Sequence, residues 1–208
     1  MSRNGRILSP PRPAGPHVVR RRFQGILGKR RTMESLAVLG QAQSAYMGLK
    51  RSAKAIRGRG ANVFTQWVGD PDALGSAVVL SAILRHLGAE EVRILTGSLG
   101  HPQNRNLVAR CGIVLQDPNR DRLRGGLHCM VDTSPPLGIL ATPGVDPVKD
   151  YFFVADHHAD PADVEEMSRI RGVKRVKFAF VGLPVGSTSA FMAVIAAAFR
   201  SRVSSLLV

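Results

Sequence analysis

The sequence predicts an α/β protein: a doubly wound, mostly parallel sheet with helices on both faces, preceded by a basic N-terminal arm and a helix. Three observations predict it. Short apolar runs of strand length alternate with segments of helical spacing from residue 61 onward. Hydrophobic residues make up 44% of the chain but aromatics only 5%, so the core must be built mainly from Val, Leu, Ile and Ala. Three of the apolar runs lead into an acid (Asp70, Asp132 and Asp156), at the strand ends where open α/β sheets bind their ligands. A chain of 208 residues can hold one domain with a real core, and hardly two.

Residues 1–32 contain clustered Pro and Gly with the runs Arg20-Arg21-Arg22 and Lys29-Arg30-Arg31, which reads as a disordered basic arm. Its character is shared by organellar transit peptides and by sequence read from a start codon placed too early, with Met33 as the true start. Residues 33–60 form a helical segment, a surface helix leading into the domain: Leu36, Leu39, Tyr46, Leu49 and Ile56 recur at loosely helical spacing, cations gather late, and Gly58 and Gly60 supply a stop. The domain then runs from 61 to 208. Its first strand is expected at Val63–Val68 and is followed by a helix over Ser76–Leu87. Strands follow at Glu91–Thr96 and Gly112–Leu115, separated by a short helix over Asn104–Arg110. Leu127–Val131 and Tyr151–Ala155 are buried strands, Val173–Phe180 is a further extended run, and Ser187–Arg202 is the last helix.

Charge and cysteine content exclude several classes. The net charge of +14 resembles that of a nucleic-acid-binding protein, but residues 1–60 hold 14 Lys/Arg against the single acid Glu34. The remaining residues carry 15 cations and 14 acids, so the folded part is nearly neutral and the global pI says little about its ligand. Cys111 and Cys129 are too few for a disulfide framework or a zinc cluster, and both are expected to be buried and reduced. The longest apolar stretch, Ala190–Phe199, is too short to span a bilayer, and no secretory signal is seen, so the cytoplasm is expected.

Four motifs carry chemistry. In Asp70-Pro71-Asp72 two carboxylates follow a strand and precede a helix whose N-terminal amides favour an anion; taken alone, such a turn more often caps a helix than binds a metal. Asp132 closes a buried strand and stands before Thr133-Ser134. Asp156-His157-His158 places an acid and two imidazoles at another strand end, and both rings can face one site only if the chain turns there. Gly186-Ser187-Thr188-Ser189 opens the last helix, where amides and hydroxyls serve either as caps or as phosphate ligands.

In this order, over roughly residues 61–200, the four motifs resemble those of the DHH family of phosphoesterases, named for the tripeptide that stands here as Asp156-His157-His158. The segment His101-Pro102-Gln103-Asn104-Arg105 is similar to one found in a branch of that family. The resemblance implies a two-metal hydrolase of phosphate esters that prefers Mn²⁺, with Mg²⁺ as the alternative. Members include RecJ-type exonucleases, oligoribonucleases that also cleave phosphoadenosine phosphate, and cyclic-dinucleotide phosphodiesterases. It implies Asp70, Asp72, Asp132 and His157 as metal ligands, with Asp132 shared between the ions. His158, with Ser187 and Thr188, would meet the substrate phosphate, and Asp156 would orient the imidazoles beside it. His158 and Asp132 would then be the catalytic pair, and the substrate a nucleotide or short single-stranded nucleic acid.

Three departures weaken the implied site. Gln66 stands where the family carries a His, and an amide oxygen is a poorer Mn²⁺ ligand than an imidazole. No later segment matches the family's last Asp, and none matches its smaller substrate-binding domain; residues 201–208 read as a break or frameshift. The domain is therefore expected to be a weakened phosphoesterase, completed by a homodimer or partner chain, or a non-catalytic module that binds nucleotide or protein.

Overall fold

The computed structural model describes residues 29–117, 126–133, 150–158 and 173–199, with 160, 162, 165 and 169 between them. The arm expected over 1–32 lies outside the described residues up to 28, as do residues 134–149 and 200–208. Six strands form one wholly parallel sheet: β1 (Gly60–Phe64), β2 (Glu91–Leu95), β3 (Leu115–Gln116), β4 (Leu127–Val131), β5 (Asp150–Asp156) and β6 (Arg175–Val181). Their spatial order is β3-β2-β1-β4-β5-β6. The chain steps outward one way from β1 to β3, then returns to β1 and steps the other way from β4 to β6. Winding outward in opposite directions from the centre makes this a doubly wound α/β fold, with the reversal between β1 and β4.

Alternation along the strands divides the core into two clusters. Ala61, Val63, Ile94, Cys129, Val131 and Ala155 face one side, and Phe64, Leu95, Met130 and Val154 face the other. The first cluster is roofed by α3 (Pro71–His86) and α5 (Thr188–Ala198), which contribute Leu80, Ile83, Phe191 and Ile195. Gly126 is needed where β4 enters the sheet, because a Cβ there would strike the Gly60 carbonyl.

The expected elements are present, with shifted ends. β1 begins three residues early and stops at Phe64, leaving Trp67 and Val68 exposed in the turn. α3 starts at Pro71 rather than Ser76, since proline is preorganised for the first helical position. α4 (Pro102–Arg110) begins at a proline for the same reason. β3 is only two residues, and α5 ends at Ala198 with Phe199 as its cap.

The N-terminal helix departs more from expectation. α1 (Lys29–Arg51) starts before Met33, ends at Arg51, and is followed by the single turn α2 (Ala53–Ile56). It is no simple surface helix. Ala42, Ala45 and Leu49, at helical spacing, are buried in the first cluster, and Gly48 gives way to the Phe178 ring. Sequence spacing missed this because the buried stripe is made largely of alanine. Cys111 is exposed, contrary to expectation, because it caps α4 at the surface; Cys129 is buried as expected. No described helix is long and apolar enough to cross a membrane.

Two measurements test this packing. Leu49→Ala should cost roughly 2–4 kcal/mol by urea unfolding, whereas exposed Leu39→Ala should cost under about 0.5 kcal/mol; equal small costs would detach α1 from the core. Iodoacetamide should label Cys111 in the native protein and spare Cys129, whose thiol burial pushes up to about 12. Mass spectrometry reads the difference.

Candidate metal centre

The β1–α3 turn places the first two acids. Asp70 is the N-cap of α3, in extended backbone, and its Oδ1 accepts from the Ala73 amide at 2.9 Å. The turn is braced by the buried side chain of Asn104 in α4, whose Nδ2 donates to the Gly69 carbonyl at 2.9 Å. Asp72, two residues on, points away from its own helix. Its two oxygens accept from the Thr188 amide at 2.9 Å and the Ser189 amide at 2.7 Å, the first amides of α5. Burial raises the Asp72 pKa, but the Ser189 and Thr188 bonds outweigh it and hold the group below its ordinary value.

Asp132 follows β4 with a left-handed backbone, φ 58°, a conformation that few residues other than glycine tolerate. Its amide donates to the Ala155 carbonyl at 2.8 Å, so β5 fixes the turn that carries the carboxylate inward. The side chain is fully buried, and no hydrogen bond satisfies either oxygen. Burial, together with the charges of Asp72 and Asp70, pushes its pKa up to about 7; the nearby Thr188 hydroxyl and His158 work the other way.

β5 ends on Asp156, and the chain bends at once. Asp156 Oδ1 accepts from the His158 amide at 3.1 Å and lies 3.0 Å from His158 Nδ1. This short-range turn brings the rings of His157 and His158 to the same side, their centroids 3.9 Å apart. His157 Nε2 then sits 3.4 Å from Asp72 Oδ2 and 3.6 Å from Asp132 Oδ1, and His158 Nδ1 lies 3.7 Å from Asp132 Oδ1. Burial lowers the His158 pKa, but the Asp156 hydrogen bond and the charges of Asp132, Asp156 and Asp70 raise it on balance.

One ligand atom each from Asp132, His157 and His158 lies within 4.8 Å of the others, a group able to hold a cation. The donor chemistry fits a divalent ion: two imidazoles and one buried carboxylate that no hydrogen bond satisfies. The sequence-expected residues are distributed around this group. Asp72 borders it through His157. Asp70 is committed to its cap, Ser187 Oγ caps α5 by accepting from Ala190 at 3.2 Å, and the Thr188 amide is taken by Asp72. The Thr188 hydroxyl is buried without a hydrogen-bond partner. Gln66 lies beyond the end of β1, its carbonyl accepting from Thr65 and Thr96. Sequence reasoning missed the bracing role of Asn104 and the seating of Asp72 on α5. Only the first left a trace, a polar residue two places after Pro102. No family model matches the chain, and no curated protein matches it.

The state of Asp132 gives a signed prediction for the protein in chelator. Its folded pKa, about 7, lies above the ordinary 3.8, so its contribution to stability is full below pH 3.8 and is lost as pH rises through 7. Asp132→Asn should therefore raise stability at pH 8 by about 1–2 kcal/mol, read by thermal unfolding, and hardly change it at pH 4. Added Mn²⁺ should stabilise the parent protein and leave the variant unmoved. A variant less stable than the parent at pH 8 would contradict this account of the carboxylate.

Proposed function

We propose that the domain is a metal-dependent phosphoesterase of the DHH type, acting on nucleotides or short single-stranded oligonucleotides in the cytoplasm. The observation that carries this reading is the buried Asp132 carboxylate, unsatisfied by any hydrogen bond, with two imidazoles beside it at the switch point of the sheet. That cost in stability makes sense if a cation neutralises it. Asp132 and His157 would hold the ion, with Asp72 beside them and His158 facing the substrate phosphate; Mn²⁺ suits the mixed carboxylate and imidazole donors, and Mg²⁺ is the harder alternative. When bound, the ion supplies Lewis-acid charge neutralisation and an acidified water for attack at phosphorus.

The chain's own residues do the rest. Asp156 fixes the His158 ring through Nδ1, which leaves Nε2 as the atom able to donate to a phosphate oxygen once the ring is protonated. The raised pKa of His158 favours that protonated form. Asp72, seated on the α5 amides, holds the last helix against the site and sets the position of His157. So small a donor group, with Asp70 Oδ1 spent on capping, equally fits a non-catalytic module that binds nucleotide through the same cation.

Hydrolysis of bis-p-nitrophenyl phosphate separates the two. We expect slow, Mn²⁺-dependent turnover that falls to background in Asp132→Asn. Asp156→Asn should lose roughly 10- to 100-fold through disorientation of His158. Mn²⁺ binding by calorimetry without any turnover would leave the binding module, and no Mn²⁺ binding would remove both readings.

A further inference from the structure

The edge of the sheet where the strands begin lies opposite the metal centre and holds a cavity of about 310 Å³. Its walls are the first residues of β4, β5 and β6, with Arg59 reaching in from the turn before β1. The fully charged groups on it are Arg59, Arg175, Lys177 and Asp150, an excess of two positive charges.

These cations are poised for a ligand. Lys177 is held in place: its Nζ donates to Ser52 Oγ at 3.1 Å and lies 5.3 Å from the centroids of both Phe152 and Phe178. An ammonium has three donors, so further bonds are available to it. Among the described residues, no hydrogen bond or ion pair occupies the guanidinium of Arg59 or Arg175. Asp150 sits opposite Arg175 in the β5–β6 register, yet the two form no ion pair. His128 on the cavity wall has its pKa lowered, by burial first and then by the charges of Arg93 and Arg59, with Asp150 acting the other way.

Size and charge together define the ligand class. A volume of 310 Å³ is at the small end for ligand sites, which run from about 300 to 1,000 Å³, so it suits a small metabolite rather than a polymer. Two guanidinium forks with an ammonium match the oxygens of a phosphate, and a phosphomonoester near pH 7 carries about −1.5 to −2 charge. We propose that this cavity binds a small phosphomonoester apart from the metal centre, with Arg59, Arg175 and Lys177 holding the phosphate and Asp150 accepting a hydroxyl of the ligand body.

Calorimetry in chelator, with ribose 5-phosphate as the probe, tests this without reference to hydrolysis. Saturable one-to-one binding is expected, weakened roughly tenfold or more by Arg59→Ala and by Arg175→Ala, and unchanged in Asp132→Asn. Asp150→Asn should weaken ribose 5-phosphate but not inorganic phosphate. Arg175→Lys, which keeps the charge, should recover part of the affinity and guards against a folding defect in the alanine variant. Absence of saturable binding overturns the proposal. So does binding that Asp132→Asn abolishes and Arg59→Ala preserves, which would put the phosphate in the metal centre.

Discussion

Everything at the candidate centre depends on β1 lying beside β4. The two strands pair in parallel, Ala61 opposite Leu127 through Phe64 opposite Met130, although 62 residues of chain and two other strands separate their sequences. Parallel pairing brings both carboxyl ends to one edge, and the reversal of winding opens a crevice there because the connections leave in opposite directions. The β1 turn then delivers Asp70 and Asp72, while β4 delivers Asp132 directly across the gap. β5, next in the sheet, delivers Asp156 and the imidazoles. No single segment contains a site; the sheet order makes one.

How the centre tolerates its own electrostatics follows from its neighbours. Four acids meet in a small volume, and each is handled differently. Asp70 spends its charge on an amide of its own helix, and Asp72 spends its charge on two amides of another. Asp156 is balanced by the backbone and ring of His158. Asp132 alone is left with no amide on its carboxylate and no well-formed hydrogen bond to either oxygen, in a left-handed backbone. Ordinary selection for stability removes such a group; strain and unsatisfied charge concentrate where a fold accepts a stability cost for chemistry.

Much of this was legible in the residues. Alternating apolar runs reported the sheet because burial on both faces demands it, and β4 and β5 were placed within a residue at each end. The acids after β1 and β4, and the one closing β5, were readable because strand-end position is a local property of sequence. Their partners were not. Whether Asp72 binds a cation or an amide depends on α5, which is remote in sequence, and nothing near Asp72 encodes it. The buried face of α1 escaped notice because Ala42 and Ala45 carry little hydrophobic signal, although they are buried in the first cluster beside Gly48, whose missing side chain makes room for Phe178. The positive φ of Asp132 was likewise invisible, since the residue sits where β4 ends against β5 and its amide bonds the Ala155 carbonyl, a partner remote in sequence.

The bond from Asp72 to the first amides of α5 joins residues 116 and 117 positions apart. Contacts of such long sequence separation are made late, after the loop-closure entropy between them has been met. A chain emerging from the ribosome presents α3 and β1 early, yet cannot seat Asp72 until α5 has been made and docked. Assembly of the candidate centre thus waits on α5, and its acids and imidazoles take their places only once that helix has docked.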